Sequence, residues 1–370
     1  MQKLIELKKD DHILVSSQVE SYLKPDFVYL PICETDQFVV RKNDFVCIGD
    51  LLLKAQKDVL SPISGVVRGV KKMNSVHRTN YYLEIENDFL ETRREIVLKK
   101  DNKKQIIAEK LELDGKKNLV LSAIDDEIYV LTKNFYLFLH SDLLLEFLDQ
   151  VREMYSLEQV YLCVKASSSE NINRLMSELG MYPELILKVV PDLYLLGRRD
   201  FLLSYLELDS KDTAFVNTRD FYDLYYYVFR GRTNSEKLIT ISGNGILNPM
   251  IVQVKLGVKL KDVIDEFISV LDDVLYFANG LMGGTEISLD SFVVTEDLDS
   301  LLIMKRQNRK KSGECICCGL CNDVCPVGLK PSLFQNLKYY ELVKEQCINC
   351  GLCSYICPVY ISFRRGEKDE

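Results

Sequence analysis

The most constraining feature of this chain is a cysteine pattern that occurs twice near its C-terminal end. Nine of the twelve cysteines lie between Cys315 and Cys357. Each run has the spacing C-x-x-C-x-x-C-x-x-x-C-P, with Cys315, Cys318, Cys321 and Cys325 in the first run and Cys347, Cys350, Cys353 and Cys357 in the second. At this cysteine content, one such run would arise by chance at roughly one start in a million. Two runs indicate a repeated ligand set.

This spacing is typical of proteins that hold 4Fe-4S cubes through cysteine thiolates. Three thiolates of a run bind one cube, and the fourth, followed by proline, reaches the cube of the other run. The sequence therefore predicts a first cluster bound by Cys315, Cys318, Cys321 and Cys357, and a second bound by Cys347, Cys350, Cys353 and Cys325. Gly319 and Gly351 follow the second cysteine of each run, where the chain must bend closely around a cube.

Structural zinc and disulfides are the alternatives to this prediction. Zinc sites use more widely separated C-x-x-C pairs and often recruit histidine, which is absent from this stretch. Disulfides suit small secreted domains. Cys317 lies outside the spacing and is expected to be a bystander. Cys33, Cys47 and Cys163 are scattered among apolar residues and are expected to fill cores.

Length, charge and hydropathy narrow the class of protein. A chain of 370 residues with 47% apolar residues predicts two or three domains with ordinary cores. Its net charge of −8 gives no reason to expect nucleic acid binding. The segment Met1–Asp11 is charged from Lys3 onward, unlike a secretory leader, and apolar windows such as Phe135–Leu148 are interrupted by charges. We expect a cytoplasmic protein that meets the inner face of a membrane only through partner proteins.

The first of four predicted domains covers residues 1–90. Short β-branched runs with turn residues between them, including His12–Ser16, Phe38–Arg41, Leu51–Lys54 and Gly65–Val70, predict a small β barrel or sandwich. Ser61–Gly65 resembles the hinge of biotinyl and lipoyl domains. No lysine lies between two methionines, so a module without a prosthetic group is expected.

The other three domains follow in order. Residues 91–235 alternate strands with helical stretches and predict an α/β layer, in which Gly115 is the only glycine between Glu86 and Leu119. Residues 236–300 predict a β-grasp-like unit followed by the glycines Gly280, Gly283 and Gly284 in a turn. Residues 301–370 begin with the basic segment Lys305–Lys311, a solvated hinge or a docking site for an acidic redox protein, and carry the cysteines.

The order of these parts is similar to the RnfC family of the Rnf electron-transport complex and its relatives, the cobalamin reductase of propanediol microcompartments and the electron-transfer protein associated with proline reductase. The resemblance rests on Lys42–Asp50, Ser61–Gly65, Phe215–Thr218, Thr240–Gly257 and Asn279–Gly283, together with Asp11–Val15 and the two cysteine runs. It implies an N-terminal barrel-sandwich hybrid, an α/β layer resembling the complex I flavoprotein fold, an SLBB β-grasp domain and a bacterial-type dicluster ferredoxin domain.

The chain also departs from this family. The family's glycine-rich loop for FMN and NADH has no counterpart between Glu86 and Leu119, and its Tyr-Pro-x-Gly-Gly-Glu turn is matched by Tyr194–Arg199. In Ser122–Ile128, which matches the family's Asn-x-x-Glu-Cys-Glu-Pro stretch, the acids Asp125 and Glu127 are kept. These two residues are the candidate remnants of an FMN site. We expect the fold to be retained without a working flavin and nicotinamide site.

Three functions remain open from the sequence. The first is a subunit that relays single electrons through two 4Fe-4S clusters, with a ferredoxin, a flavodoxin or a larger reductase complex as partner. The second is an FMN-dependent NADH:ferredoxin oxidoreductase subunit, although independent NADH dehydrogenase activity is not expected. The third is a scaffold that docks a corrinoid protein, a selenoprotein or a membrane redox partner.

Overall fold

The computed structural model of the chain describes residues 19–74, 79–96, 98–306 and 312–363. Within these ranges the protein has a mixed α/β fold, as predicted, with strands arranged in four sheets. The predicted strand at His12–Ser16, the segment Met1–Asp11 and most of the basic segment Lys305–Lys311 lie outside the described residues. No helix in the described part of the chain is long and apolar enough to cross a membrane.

The first β unit contains two small antiparallel sheets. Its strands are β2 (Phe27–Ile32), β3 (Gln37–Phe38), β4 (Phe45–Val46), β5 (Leu51–Lys54), β6 (Val59–Leu60), β7 (Gly65–Asn74) and β8 (Thr79–Asn87). One sheet has the order β2-β8-β7-β4 and the other β3-β5-β6. A Cβ on Gly65 would lie 1.9 Å from the Glu86 carbonyl oxygen, which explains the glycine at the end of the hinge sequence. The strand predicted at Phe38–Arg41 is reduced to Gln37–Phe38.

The α/β layer is built on four parallel strands in the order β11-β10-β9-β12. The strands are β9 (Asn118–Ser122), β10 (Gln159–Lys165), β11 (Leu185–Val190) and β12 (Thr213–Asn217). The helices are α1 (Lys100–Lys110), α2 (Thr132–Tyr155), α3 (Ser169–Glu178), α4 (Arg199–Tyr205) and α5 (Thr218–Arg230). The strands are nearly continuously apolar because both faces of the sheet are covered. The loop that leaves β9 carries Asp125 and Glu127.

A six-stranded sheet follows, in the order β1-β14-β13-β17-β15-β16. Its strands are β1 (Val19–Tyr22), β13 (Glu236–Ser242), β14 (Met250–Lys255), β15 (Val274–Ala278), β16 (Thr285–Ile287) and β17 (Ser300–Lys305), with helix α6 (Leu260–Phe267) against them. The sheet thus continues past residue 300 and recruits β1 from the start of the described chain. Its apolar face and the interior of the first β unit form one continuous core.

The cysteine-rich unit, residues 312–363, contains short helices and no strand among its described residues. The helices are α7 (Leu320–Val324), α8 (Leu337–Val343) and α9 (Leu352–Tyr355). Helices α7 and α9 begin at the same point of the two cysteine runs and pack against each other. A small apolar cluster that includes Tyr194, Met282, Val324 and Leu352 joins this unit to the rest of the protein.

Candidate metal centre

The four cysteines predicted for the first cluster surround one cavity. Cys315, Cys318 and Cys321 of the first run line it together with Cys357 of the second run. The rest of its wall is largely apolar and includes Leu320, Val359, Ile361 and Phe363. The proline after Cys357 also lies in this wall, where the chain turns back toward the first run.

The four cysteines predicted for the second cluster surround a neighbouring cavity. Cys347, Cys350 and Cys353 line it together with Cys325 of the first run. Phe363 lies in the walls of both cavities, which are therefore adjacent. Each cavity is therefore lined by three cysteines of one run and the fourth cysteine of the other.

The two runs are also equivalent in backbone conformation. Gly319 and Gly351 have left-handed φ values of 79° and 74° and directly precede α7 and α9. Cys317 and Asn349, two residues earlier in each case, are left-handed as well, with φ values of 54° and 50°. Cys317 is exposed. The repeat in the sequence is therefore a repeat in structure, in which Cys317 occupies a turn position.

Backbone N–H groups point at the fourth cysteine of each run. Leu329 N donates to Cys325 Sγ at 3.3 Å, and Ile361 N donates to Cys357 Sγ at 3.4 Å. In both cases the donor lies four residues after the cysteine. Hydrogen bonds of this kind favour a thiolate over a thiol and raise the reduction potential of a bound iron–sulfur cluster.

Burial raises the pKa of several thiols in the two sets. The pKa of Cys353 is raised to about 12, and those of Cys321 and Cys350 are also raised, by burial first and then by neighbouring cysteines. Iron must therefore displace protons from these thiols when it binds. All twelve cysteines are free in this structure. Among the described residues, no group of three His, Cys, Asp or Glu side chains is arranged to hold a single metal ion.

The second run is docked against the protein, whereas the first is open. Leu320 and Leu352 occupy equivalent places after the glycine of each run, yet Leu320 is 42% exposed and Leu352 is 1% exposed. A Cβ on Gly351 would lie 2.1 Å from the Met282 carbonyl oxygen, whereas one on Gly319 would meet nothing within 4 Å. The backbone of the glycine turn after β15 is therefore in close contact with the second run.

Glu127 fastens this glycine turn. Its carboxylate accepts hydrogen bonds from Met282 N at 3.1 Å and Gly283 N at 2.8 Å. Tyr194 Oη lies 3.0 Å from Glu127 Oε1 and 2.8 Å from the Cys350 carbonyl oxygen. Burial raises the pKa of Glu127, while these donors and the charge of Arg198 oppose that shift. The side chain joins the α/β layer, the glycine turn and the second run.

Asp125 has a different role. Its buried carboxylate accepts from Lys133 N at 2.9 Å and from Asn134 N at 3.3 Å, in the first turn of α2. It thereby satisfies two N–H groups that have no partner within the helix. Burial raises the pKa of Asp125 to about 7, against the opposing charge of Lys133. The two acids predicted as remnants of an FMN site are therefore both bonded to the protein itself.

The space beside these acids does not suit FMN. A cavity of about 320 Å³ is lined by five carboxylates and two cationic side chains: Asp125, Asp126, Glu127, Asp297, Asp299, Lys133 and Arg198. This excess of negative charge repels a phosphate. Phosphate binding also needs backbone N–H groups at a glycine-rich turn or helix start, and the N–H groups of the turn at Met282 and Gly283 are bonded to Glu127.

For two residues of this centre, the sequence analysis predicted no function. Tyr194 and Arg198 both contact the second run, since Tyr194 reaches the Cys350 carbonyl oxygen and Arg198 Nη1 donates to the Ile348 carbonyl oxygen at 2.7 Å. The only available signal was that Arg198 and Arg199 stand where the similar family has glycine and glutamate.

Cys163 is buried, as predicted for a core filler. The same prediction for Cys33 is wrong. That residue is exposed in a turn where its N–H donates to Asp36.

Comparison with curated proteins identifies relatives of one kind. The chain is 26% identical over 249 residues to the C subunit of the ion-translocating oxidoreductase complex of Erwinia tasmaniensis, covering 62% of this chain and 30% of the relative. It is 22% identical over 357 residues to the protein of that name from Haemophilus influenzae, covering 84% and 44%. The C subunit of a proton-translocating ferredoxin:NAD(+) oxidoreductase complex from Clostridium ljungdahlii is 31% identical over 121 residues, covering 32% and 26%.

These relatives confirm the resemblance to the RnfC family. The matched region covers between 26% and 44% of the length of these three relatives. No protein-family profile matches it. Among solved structures, an NAD⁺-reducing [NiFe]-hydrogenase in the air-oxidized state is similar over 54% of this chain and 43% of that chain, with 13% sequence identity and a TM-score of 0.43.

Proposed function

We propose that this protein, a relative of the C subunits of ion-translocating oxidoreductase complexes, is an electron-transfer component that relays single electrons through two 4Fe-4S clusters. The observation that carries the proposal is the gathering of eight cysteines, in two crossed sets of four, around two adjacent cavities. Each cube, when bound, accepts and releases one electron at a time.

The ligands follow from this geometry. Cys315, Cys318, Cys321 and Cys357 would hold the first cluster, and Cys347, Cys350, Cys353 and Cys325 the second. The walls of both cavities are largely apolar, although Cys315 and Cys318 are exposed, and the N–H groups of Leu329 and Ile361 would stabilise the two crossing sulfurs. Because Phe363 borders both cavities, an electron would pass between clusters over a short distance.

The other domains serve to present the clusters. Residues 1–90 would form a barrel-sandwich hybrid without a prosthetic group, residues 91–235 a flavoprotein-like layer and residues 236–300 an SLBB β-grasp domain. The parallel pairing of β13 with β17, flanked by β14 and β15, supports the last of these. As the relatives are subunits of redox complexes, the partners would be redox proteins, with the membrane reached through other subunits.

The flavin-dependent alternative has weaker support. Asp125 and Glu127 are bonded within the protein, and the cavity beside them is lined mainly by carboxylates. A chain of this kind would not reduce an acceptor with NADH unless another protein supplied the flavin.

Anaerobic reconstitution of the full chain tests the proposal. We expect about eight iron and about eight sulfide per chain, with visible absorption that bleaches on reduction and an electron paramagnetic resonance (EPR) signal from the reduced clusters. Replacing the bystander, Cys317→Ala, should leave the iron content unchanged. Bound zinc with iron near zero would refute the proposal, and NADH-driven reduction of an artificial acceptor by a flavin-loaded chain would favour the alternative.

A further inference from the structure

A charged side chain from elsewhere in the chain contacts the second cysteine run. Arg198, from the α/β layer, donates through Nη1 to the carbonyl oxygen of Ile348 at 2.7 Å. Ile348 lies between the cluster ligands Cys347 and Cys350. The equivalent residue of the first run, Ile316, is 62% exposed. Neither cavity has a charged side chain in its wall, so Arg198 is a cation brought to the second run from a distant part of the chain.

The position of Arg198 is fixed by its neighbours. It immediately precedes α4, and Gly197 before it cannot carry a Cβ, which would lie 2.6 Å from the Asp125 carbonyl oxygen. A Cβ on Gly283 would lie 3.9 Å from Arg198 Nη2 and 2.8 Å from Glu127 Oε1. Absence of a side chain at both glycines lets the guanidinium reach the second run alongside the Glu127 carboxylate.

Reduction adds one negative charge to a cluster, and a fixed cation nearby stabilises that charge. Net charge and hydrogen bonding around the cluster are among the factors that set its potential. In the partly buried surroundings of the second run this attraction is screened less than in water.

We propose that Arg198 is a positioning residue that raises the reduction potential of the second cluster and leaves that of the first unchanged. The inference rests on the proposed function, since it requires both clusters. We expect the cation to favour the reduced second cluster on the order of tenfold, which for one electron corresponds to about 59 mV.

The test compares Arg198→Gln with Arg199→Gln in the reconstituted full chain. Glutamine at 198 is polar but carries no charge. Arg199 is the matched control because it is adjacent, also cationic and paired instead with Glu112 at 3.3 Å on the surface. Potentiometric titration followed by EPR should show one of the two one-electron transitions falling by about 59 mV in Arg198→Gln and neither moving in Arg199→Gln.

Three further variants assign the effect. Arg198→Lys keeps the charge and should retain most of the wild-type potential. In a Cys357→Ala background, which would keep only the second cluster, Arg198→Gln should shift the remaining transition. In a Cys325→Ala background, which would keep only the first, it should not.

The outcomes separate this inference from the function on which it rests. If the wild-type chain binds no four-iron clusters, the proposed function fails and the inference fails with it. If Arg198→Gln, Arg198→Lys and Arg199→Gln each hold about eight iron but Arg198→Gln shifts neither transition, or shifts both equally, the relay stands and the role of Arg198 is refuted. An Arg198→Lys potential as low as that of Arg198→Gln would also refute it, because charge would not be the cause.

Discussion

Removal of the Glu127 carboxylate should loosen the second cysteine run from the rest of the protein. In Glu127→Ala, Met282 N and Gly283 N lose their acceptor, and Tyr194 loses one of its two partners. An unsatisfied buried donor costs about 1–3 kcal/mol. The two backbone groups together should therefore lower the local stability by about 3 kcal/mol.

Hydrogen exchange followed by mass spectrometry measures this loss directly. A loss of about 3 kcal/mol corresponds to roughly a hundredfold faster exchange by local opening, expected in peptides covering residues 279–284 and 347–352. Glu127→Gln retains one carbonyl acceptor and should show a smaller increase. Glu112→Gln, which removes only the exposed pair with Arg199, is the control and should change exchange little. Unchanged exchange of both segments in Glu127→Ala would refute the structural role of Glu127.

Three further predictions concern the cysteines, the glycines and Asp125. Cys357→Ala and Cys325→Ala should each retain about four iron, with the first-run cluster lost from Cys357→Ala although Cys357 belongs to the second run; an EPR spectrum from which the second-run cluster is missing instead would contradict the crossed ligation. Gly351→Ala should lower the free energy of unfolding in urea by about 2 kcal/mol more than Gly319→Ala. Both glycines have positive φ, but only a Cβ on Gly351 would meet a backbone oxygen, at 2.1 Å. Equal losses in the two variants would show that this close approach is unimportant. The folded-state pKa of Asp125 is raised to about 7, so its protonated form stabilises the fold and that contribution is lost as the pH rises through 7. The free energy of unfolding of wild type relative to Asp125→Asn should therefore fall by about 2 kcal/mol between roughly pH 5 and 8, and a difference independent of pH would contradict the assignment.

The sequence was most informative where the chemistry is local. The spacing of the cysteines led to the prediction of two crossed ligand sets, because a short loop around a cluster leaves little freedom to the chain. Alternating apolar strands and helical stretches likewise predicted the parallel α/β layer. Pairing of β1 with β14 and of β17 with β13 was not predicted, since it joins segments that are far apart in sequence. Neither segment's own pattern identifies its partner.

The hydrogen-bond partners of Glu127 and Arg198 could not be predicted either, because they also lie far away in sequence. Glu127 bonds to residues 155 and 156 positions away, and Arg198 to one 150 positions away. A kept acid in a stretch that matches a flavoprotein family suggested a flavin site, but the same carboxylate serves equally well as an acceptor for backbone N–H groups. Only the position of the glycine turn distinguishes these two uses.

The contrast between the runs also bears on how electrons would enter and leave. The cysteine spacing and the backbone turns are alike in both runs, but the residues that cover the runs differ. Tyr194, Met282 and Arg198 cover the second run, whereas Ile316 and Leu320 leave the first run exposed. The first cavity is therefore open on a side that does not involve the contacts of Glu127. Access to the second cavity from the side of the glycine turn would require the contacts of Glu127 with that turn to break.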